Sequence, residues 1–148
     1  MKRQIKFIRY GGEEIKLNRD VLQKMREAEK SREEIEGSCL DYIGETSNII
    51  CMFEGDELLG FAWTEYYIPE SVAELCWIVT NKEKIKSLDA KLLLDNAIEE
   101  CKKDGIEVVN FNCYERSWGR IKDKEKLFEG YGYKVREEEY YDVSIDIN

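Results

Sequence analysis

The sequence contains no histidine and only one proline among its 148 residues. Without histidine, a Ser-His-Asp triad and any His-ligated metal site are excluded. Five cysteines are present, at positions 39, 51, 76, 101 and 113, and no two of them have the Cys-x-x-Cys spacing of zinc or redox motifs. Most lie within apolar strand or helix patterns, so we interpret them as buried free thiols and expect no metal cofactor.

The sequence also lacks an excess of basic charge and a long apolar run. The formal net charge is −9 and 37% of the residues are charged, which argues against a nucleic-acid partner because such binding needs a basic face. No apolar stretch approaches the roughly 20 residues of a membrane span, and the first residues do not resemble a secretory signal. We therefore expect a cytoplasmic protein with no membrane contact, one domain over 1–148 and either a monomeric or a homodimeric state.

Hydrophobic periodicity predicts alternating strands and helices. Glu54-Gly55-Asp56-Glu57 is typical of a hairpin turn between two strands. Asn18 is a candidate N-cap for one helix, and Ser31 begins a capping-box pattern that predicts a second. The predicted strands are 4–10, the two arms of the hairpin 48–67, 72–80, 106–113 and one or two in the tail; the remaining predicted helices are 87–104 and 123–133.

The order of these elements predicts a mixed sheet. Strand 72–80, helix 87–104 and strand 106–113 form a strand–helix–strand unit, which implies a parallel pair with a right-handed crossover. The preceding hairpin implies antiparallel neighbours. We therefore predict an α/β fold with a mixed sheet and helices on both faces.

Three strings in this order resemble the GCN5-related N-acetyltransferase (GNAT) superfamily: ICMFEGDELLGFAWTEY, AELCWIVTNKEKIKSLDAKLLLDNAIEECKKDG and LFEGYGYK. They are similar to the family's central hairpin, its cofactor-binding segment and its closing helix. The resemblance covers nearly the whole chain. It implies the GNAT-like acyl-CoA N-acyltransferase fold, in which a mostly antiparallel sheet contains a parallel pair of fourth and fifth strands.

The resemblance implies acetyl-CoA as co-substrate, bound by backbone amides of the loop after the fourth strand and of the first helical turn. The family's loop pattern, Gln/Arg-x-x-Gly-x-Gly/Ala, places Lys84 at its first position, and Ser87 and Asp89 where glycines belong. A carboxylate about 4 Å from a phosphate would cost about 4 kcal/mol unless it turns away. The implied cofactor-binding residues are Trp77, Ile78, Val79, Lys84, Ile85, Lys86, Ser87, Leu88, Asp89 and Ala90.

Charge along the chain favours a phosphate site at this loop. Residues 81–91 carry four lysines against two carboxylates, and residues 114–126 carry five basic residues against three acidic ones. These are the two local cationic stretches of an acidic chain. Lysines in loops are also ordinary solvated charges, so this pattern alone does not require a ligand.

Acetyl transfer to an amine needs a base, a polarised carbonyl and a proton for the leaving thiolate. The resemblance implies Glu74 as the general base, with Glu65 a second candidate on the face that Trp63 and Tyr67 share. An alternative interpretation of Glu74 is a solvated carboxylate at a strand start. The family's usual proton-donating tyrosine corresponds to Phe128, so Tyr131 and Tyr114 are the candidates that remain.

We therefore expect an N-acetyltransferase that transfers an acetyl group from acetyl-CoA to a primary amine of a small molecule or protein by direct attack. Asp41, Glu45 and Glu70 lie in segments that flank the acceptor entrance in the resembled fold, and they favour a cationic amine. Two alternatives stay open. The chain is either a GNAT-like ligand-binding or protein-interaction module without catalysis, or an enzyme for another acyl class on the same fold.

Overall fold

The structure is a computed structural model that describes residues 3–32, 38, 40–67, 69–86, 89–112, 130–131, 133–137 and 141–147. Several predicted features lie outside the described residues: the helix at 123–133, Tyr114, Phe128, Ser87 and Leu88. The described elements are β1 (Ile5–Gly11), α1 (Gly12–Lys16), α2 (Arg19–Lys30), a 3-10 turn (Leu40–Tyr42), β2 (Ser47–Glu54), β3 (Glu57–Tyr67), β4 (Val72–Thr80), α3 (Asp89–Lys103), β5 (Val108–Asn112), β6 (Tyr133–Glu137) and β7 (Tyr141–Asp146).

One seven-stranded sheet of order β1-β2-β3-β4-β5-β7-β6 runs through these elements. Every neighbouring pair is antiparallel except β4 and β5, which are parallel. The predicted mixed sheet with a parallel fourth and fifth strand is confirmed. The tail contributes two strands, and β7 inserts between β5 and β6.

Two apolar clusters lie on the two faces of the sheet. The cluster under α3 includes Leu75, Ile78 and Leu93, while the cluster under α1 and α2 includes Phe61, Trp63 and Val79. Because side chains alternate along a strand, β2, β3 and β4 each supply residues to both clusters. The prediction of helices on both faces is therefore confirmed.

The first helices differ in part from the prediction. Asn18 is the N-cap of α2, and its side chain accepts a hydrogen bond from the Val21 amide. Ser31 is the C-cap of α2, and its hydroxyl donates to the Ala28 carbonyl. The second helix predicted from Ser31 falls mostly on residues 33–37 and 39, which lie outside the described residues. The short helix α1 is not among the predicted elements; its Ile15 is fully buried in the cluster beneath it.

In the part of the chain that the structure describes, no helix is long and apolar enough to cross a bilayer.

Candidate active site

Among the described residues, the carboxyl half of β4 has a strand partner on one side only. The parallel pairing of β4 with β5 covers Val72–Leu75 against Val108–Phe111 and, within the described residues, goes no further. Residues 77–80 of β4 pair with β3, and their other edge has no strand partner within the described ranges. We call this other edge the β4 gap.

A bulge lies at the start of this gap. Trp63 of β3 pairs with Trp77, and Thr64 pairs with Leu75, so Cys76 has no partner of its own on β3. The amide of Asn81 donates to Leu59 of β3 at 2.8 Å. Because the amides of successive strand residues point to opposite sides, the peptide group of Ile78 points into the gap, and those of Trp77 and Val79 point toward β3.

Two carboxylates lie directly opposite each other beside the gap. Glu74 of β4 pairs in register with Glu65 of β3, and directly paired residues of an antiparallel pair share one face of the sheet. This face is the one that α1 and α2 cover, because Ala73 and Leu75 on either side of Glu74 belong to the opposite cluster. The structure thus brings the two predicted candidates together.

The Glu65 carboxylate is held by three donors. The Thr46 hydroxyl donates to it at 2.6 Å, the Trp63 indole at 2.8 Å, and the Ser47 hydroxyl donates to the same oxygen as the indole. Ser47 and Trp63 are themselves buried. Glu65 is therefore fixed in position, and its removal would leave buried donors without an acceptor.

The Glu74 carboxylate is held more loosely. It accepts one hydrogen bond, from the Tyr67 hydroxyl at 2.9 Å, and this contact is exposed. That bond is the largest cause that raises the pKa of Tyr67 to about 12. Burial, followed by the charges of Glu74 and Glu65, raises the pKa of the neighbouring Cys76 thiol. Cys76 is thus a thiol rather than a thiolate at neutral pH, which agrees with its interpretation as a structural residue.

The segment that orients Glu65 is packed tightly against α1. A side chain on Gly12 would place its Cβ 1.8 Å from the Gly44 carbonyl oxygen. Gly44 and Ser47 also bond each other in a tight turn, through the Gly44 amide and the Ser47 hydroxyl at 2.9 Å. Only glycine at position 12 lets this turn approach closely enough to bring Thr46 and Ser47 to Glu65.

The loop between β4 and α3 forms hydrogen bonds within the protein. Asn81, the first residue of this loop, is buried and accepts three of these hydrogen bonds. All the described amides from 82 to 86, and the amide of residue 89, already donate to protein acceptors. The acceptors are Ser31 Oγ for Lys82, Asn81 Oδ1 for Glu83, the Asn81 carbonyl for Lys84 and Ile85, Asp89 Oδ2 for Lys86, and the Lys86 carbonyl for Asp89, at 2.8–3.2 Å.

Asp89 turns away from solvent. Its side chain is only 1% exposed, and it accepts hydrogen bonds from the Lys86 amide and from both terminal nitrogens of Arg3, at 2.8 and 3.2 Å. Arg3 also donates to Glu54 at the end of β2. The carboxylate thus lies inside the protein at the first turn of α3, where it complements the positive end of the helix dipole.

The same loop carries three lysines. Lys82 and Lys86 are exposed and Lys84 is half-buried. None of the three ammonium groups has an ion-pair partner among the described residues. Their positive charge is therefore available to solvent or to an anion.

Tyr131 lies against α3 rather than beside Glu74. Its hydroxyl donates to Asp95, and Lys91 binds the same carboxylate at 2.9 Å while its ammonium lies 4.4 Å from the centre of the Tyr131 ring. Burial and the Asp95 hydrogen bond raise the pKa of Tyr131. Tyr131 packs on the α3 cluster, so the sheet separates it from the face that carries Glu74.

Sequence reasoning did not identify Arg3, Thr46 or Ser47 as part of this region. Arg3 is 86 residues from its partner Asp89, and no local pattern connects them. Thr46 and Ser47 precede a predicted strand and resemble ordinary turn residues. No group of acidic residues or cysteines able to hold a metal occurs within the ranges that the structure covers.

This arrangement of strands is that of a known fold. The structure aligns with a Desulfovibrio desulfuricans protein assigned to the acetyltransferases of the GNAT family, at a TM-score of 0.72 and 13% identity, over 98% of this chain and 100% of that one. It aligns with the PaiA N-acetyltransferase of Thermoplasma acidophilum in complex with coenzyme A, at a TM-score of 0.66 and 15% identity, over 97% of this chain and 99% of that one. It also aligns with the ribosomal-protein-S18-alanine N-acetyltransferase of Escherichia coli, at a TM-score of 0.68 and 14% identity, over 95% of this chain and 90% of that one.

No protein-family sequence model matches the chain, and no curated protein matches it significantly by sequence. The likeness is therefore one of structure over nearly the whole length. The chain has the fold of the GNAT acetyltransferases, and the fold implied by the sequence resemblance is confirmed.

Proposed function

We propose that this protein is an N-acetyltransferase that moves an acetyl group from acetyl-CoA to a primary amine of a small molecule or a protein. The observation that carries the proposal is the β4 gap with Glu74 at its start. A thioester arm along this edge could form hydrogen bonds with the N–H and C=O groups of Ile78, which have no strand partner among the described residues, in the way that a further strand would.

The proposed reaction is a direct attack. The amine nitrogen forms a bond to the thioester carbonyl carbon, and the carbon–sulfur bond breaks. Glu74 takes the proton that the amine loses, while the leaving thiolate gains a proton. Glu74 suits the base role because its only hydrogen-bond donor in the described residues, Tyr67, is itself exposed, which leaves the carboxylate accessible.

The proposed reaction also requires a group that donates a proton to the leaving thiolate. Tyr131 and Tyr114 are the predicted candidates. Tyr131 already donates to Asp95 on the opposite face of the sheet, so it would have to break that bond to act. We therefore assign the role to Tyr114, which follows β5 in the sequence and lies outside the described residues.

The acceptor is proposed to be a cationic amine. Glu65 and Glu74 present two carboxylates side by side, and Trp63 and the half-exposed Tyr67 lie on the same face. Carboxylates attract an ammonium group, and aromatic faces add a cation–π contribution. This class includes both small amines and the amino groups of proteins.

The test is detection of free CoA thiol when the protein is incubated with acetyl-CoA and a panel of mono- and diamines. We expect release with at least one amine, and a loss of at least about 100-fold in kcat/KM for Glu74→Gln, which is the usual contribution of a general base. Glu27→Gln is the matched control because Glu27 is exposed on α2. Equal rates for both variants would contradict the assignment of Glu74.

A module without catalysis is the second candidate function. The observation that favours it is the loop before α3, whose described amides are occupied by protein acceptors instead of being free for a pyrophosphate. This candidate predicts no CoA release with any amine, whether or not CoA binds.

A further inference from the structure

The last residue of β4, Thr80, has a backbone carbonyl that faces the β4 gap. The amide of the next residue, Asn81, donates to the Leu59 carbonyl of β3 at 2.8 Å. Because successive strand residues direct their backbone groups to opposite sides, the N–H and C=O groups of Thr80 point away from β3. Thr80 and Ile78 therefore both present backbone groups to the β4 gap.

Arg32, which follows the C-cap of α2, binds this carbonyl. Its Nε donates to the Thr80 carbonyl oxygen at 2.8 Å, and one of its terminal nitrogens donates to the Thr80 hydroxyl. Thr80 is buried, so without Arg32 its carbonyl would be poorly hydrated and would lack an acceptor's usual partner. The guanidinium therefore takes the position, at the end of the β4 gap, of an amide from a neighbouring strand.

The turn that carries Arg32 is itself fixed in place. The Ser31 hydroxyl accepts from the Lys82 amide at 2.9 Å and donates to the Ala28 carbonyl at 2.6 Å. The Arg32 amide donates to the Glu29 carbonyl at 3.0 Å. The turn is thus bonded both to α2 and to the loop after β4, so the guanidinium is held against Thr80 from a fixed position.

We propose that Arg32 is a positioning residue for the acyl donor. By binding the Thr80 carbonyl, it holds the end of β4 in strand geometry and closes the last acceptor of the β4 gap, so that the donor's arm pairs at Ile78. The inference rests on the proposed function, since it concerns the edge along which that donor would lie. Arg32 is 48 residues from Thr80 and was not among the predicted site residues.

The physical basis of this role is the order of the strand edge before the ligand binds. A strand edge that is already ordered loses less conformational entropy when a ligand pairs with it. Without Arg32, the last hydrogen bond between β4 and β3, from the Asn81 amide to Leu59, would open more often. The donor would then pair with a less ordered edge, and its affinity would fall.

The experiment compares Arg32→Met and Arg32→Lys with the wild-type full chain. Methionine removes every donor of the guanidinium, whereas lysine keeps one charged donor for a carbonyl. Arg26→Met is the matched control, because Arg26 is an exposed arginine of α2 with no ion-pair partner among the described residues. Calorimetric titration with CoA at low and at high salt measures affinity, and amide hydrogen exchange without ligand measures the order of the end of β4.

Arg32→Met is expected to weaken CoA binding by at least about fivefold, which corresponds to the net contribution of about 1 kcal/mol from one hydrogen bond. The ratio to wild type should be the same at both salt concentrations, because this role needs no contact with a phosphate. The Asn81 amide should exchange at least about fivefold faster, while the amides of the β1–β2 pair keep their rates. Arg32→Lys should lie between wild type and Arg32→Met in both measurements, and it decides the question if Arg32→Met does not fold.

An Asn81 amide that exchanges at the wild-type rate in the variants, or CoA affinity equal to or above that of wild type, would overturn the inference and leave the proposed function standing. So would a ratio that approaches one at high salt, since it would indicate a direct contact between Arg32 and a phosphate. The expected changes without acetyl transfer to any amine would support the inference and contradict the enzyme. The absence of any heat when CoA is added to the wild-type protein would overturn both.

Discussion

Arg3 and Asp89 form an ion pair in which the guanidinium donates to both carboxylate oxygens, at 2.8 and 3.2 Å, and the carboxylate is 1% exposed. The pair joins the start of β1 to the first turn of α3. Asp89 stands at a position where the resembled loop pattern has glycine. Because its carboxylate points into the protein and is paired with Arg3, its negative charge is compensated there.

Arg3→Met is expected to lower the melting temperature, because it leaves the buried Asp89 carboxylate without its cation. Adding Asp89→Asn to Arg3→Met should raise the melting temperature again, since the amide oxygen can still accept from the Lys86 amide and the unpaired charge is gone. Differential scanning calorimetry of the single and double variants measures this. Arg19→Met is the control at an exposed arginine; a double variant less stable than Arg3→Met would contradict the account.

Gly12→Ala is expected to destabilise the protein by about 1–3 kcal/mol, the usual cost of overpacking. The added Cβ would lie 1.8 Å from the Gly44 carbonyl oxygen, so the turn that supports Glu65 must move. Gly11→Ala is a matched control, because a Cβ there meets no atom within 4 Å. Urea unfolding of both variants measures the difference, and equal midpoints would show that the turn does not depend on Gly12.

Glu65→Ala and Glu74→Ala are expected to differ in stability. Removing Glu65 leaves the Ser47 hydroxyl and the Trp63 indole without their acceptor, at a cost of about 1–3 kcal/mol. Removing Glu74 loses only an exposed bond from Tyr67, and about 0.5 kcal/mol is expected. Chemical unfolding of the two variants is the measurement. If Glu74→Ala proved the more destabilising, Glu74 would be a structural residue rather than a free base.

The Tyr67–Glu74 bond predicts a dependence on alkaline pH. The pKa of Tyr67 is raised from about 10 to about 12, mainly by that bond. Between these values the native state keeps a proton that the unfolded chain has lost, so Tyr67 stabilises the fold below about pH 10 and this contribution disappears as the pH rises toward 12. Glu74→Gln should shift the ultraviolet ionisation curve of one tyrosine to lower pH. An unchanged curve would contradict the bond.

Cys51 and Cys76 are expected to resist alkylation in the native state. Burial raises the pKa of Cys51 to about 12 and raises the pKa of Cys76 further, so the thiolate fraction near neutral pH is very small. Mass-spectrometric mapping after brief treatment with iodoacetamide should find both sites modified only when the chain is unfolded in urea. Native labelling of Cys76 as fast as in urea would show an activated thiol.

The sequence predicted the sheet well and the loops less well. Strands 72–80 and 48–67 are long, apolar and bounded by turn residues, so local pattern and tertiary packing agree, and β4, β2 and β3 lie where expected. The capping pattern at Ser31 did not show that its hydroxyl bonds the end of α2. A local motif does not determine whether its serine caps the preceding helix or a following one.

The candidate site was predicted only in part. Glu74 and Glu65 follow from strand alternation, and the structure brings them together. The inward direction of Asp89 depends on Arg3, and the rigidity of Glu65 depends on a turn that packs against Gly12. Both are contacts between residues far apart in the sequence, which periodicity and capping rules do not encode.

The most direct measurement of the central claim is a nuclear magnetic resonance titration of the isotope-labelled protein with acetyl-CoA. We predict shifts of the amide signals of residues 76–80, which border the β4 gap, and of the loop 82–86, while the amides of β1, which β2 and β3 separate from β4, keep their positions. The absence of any shift at these amides in the presence of excess acetyl-CoA would contradict the assignment of this gap as an acetyl-CoA site.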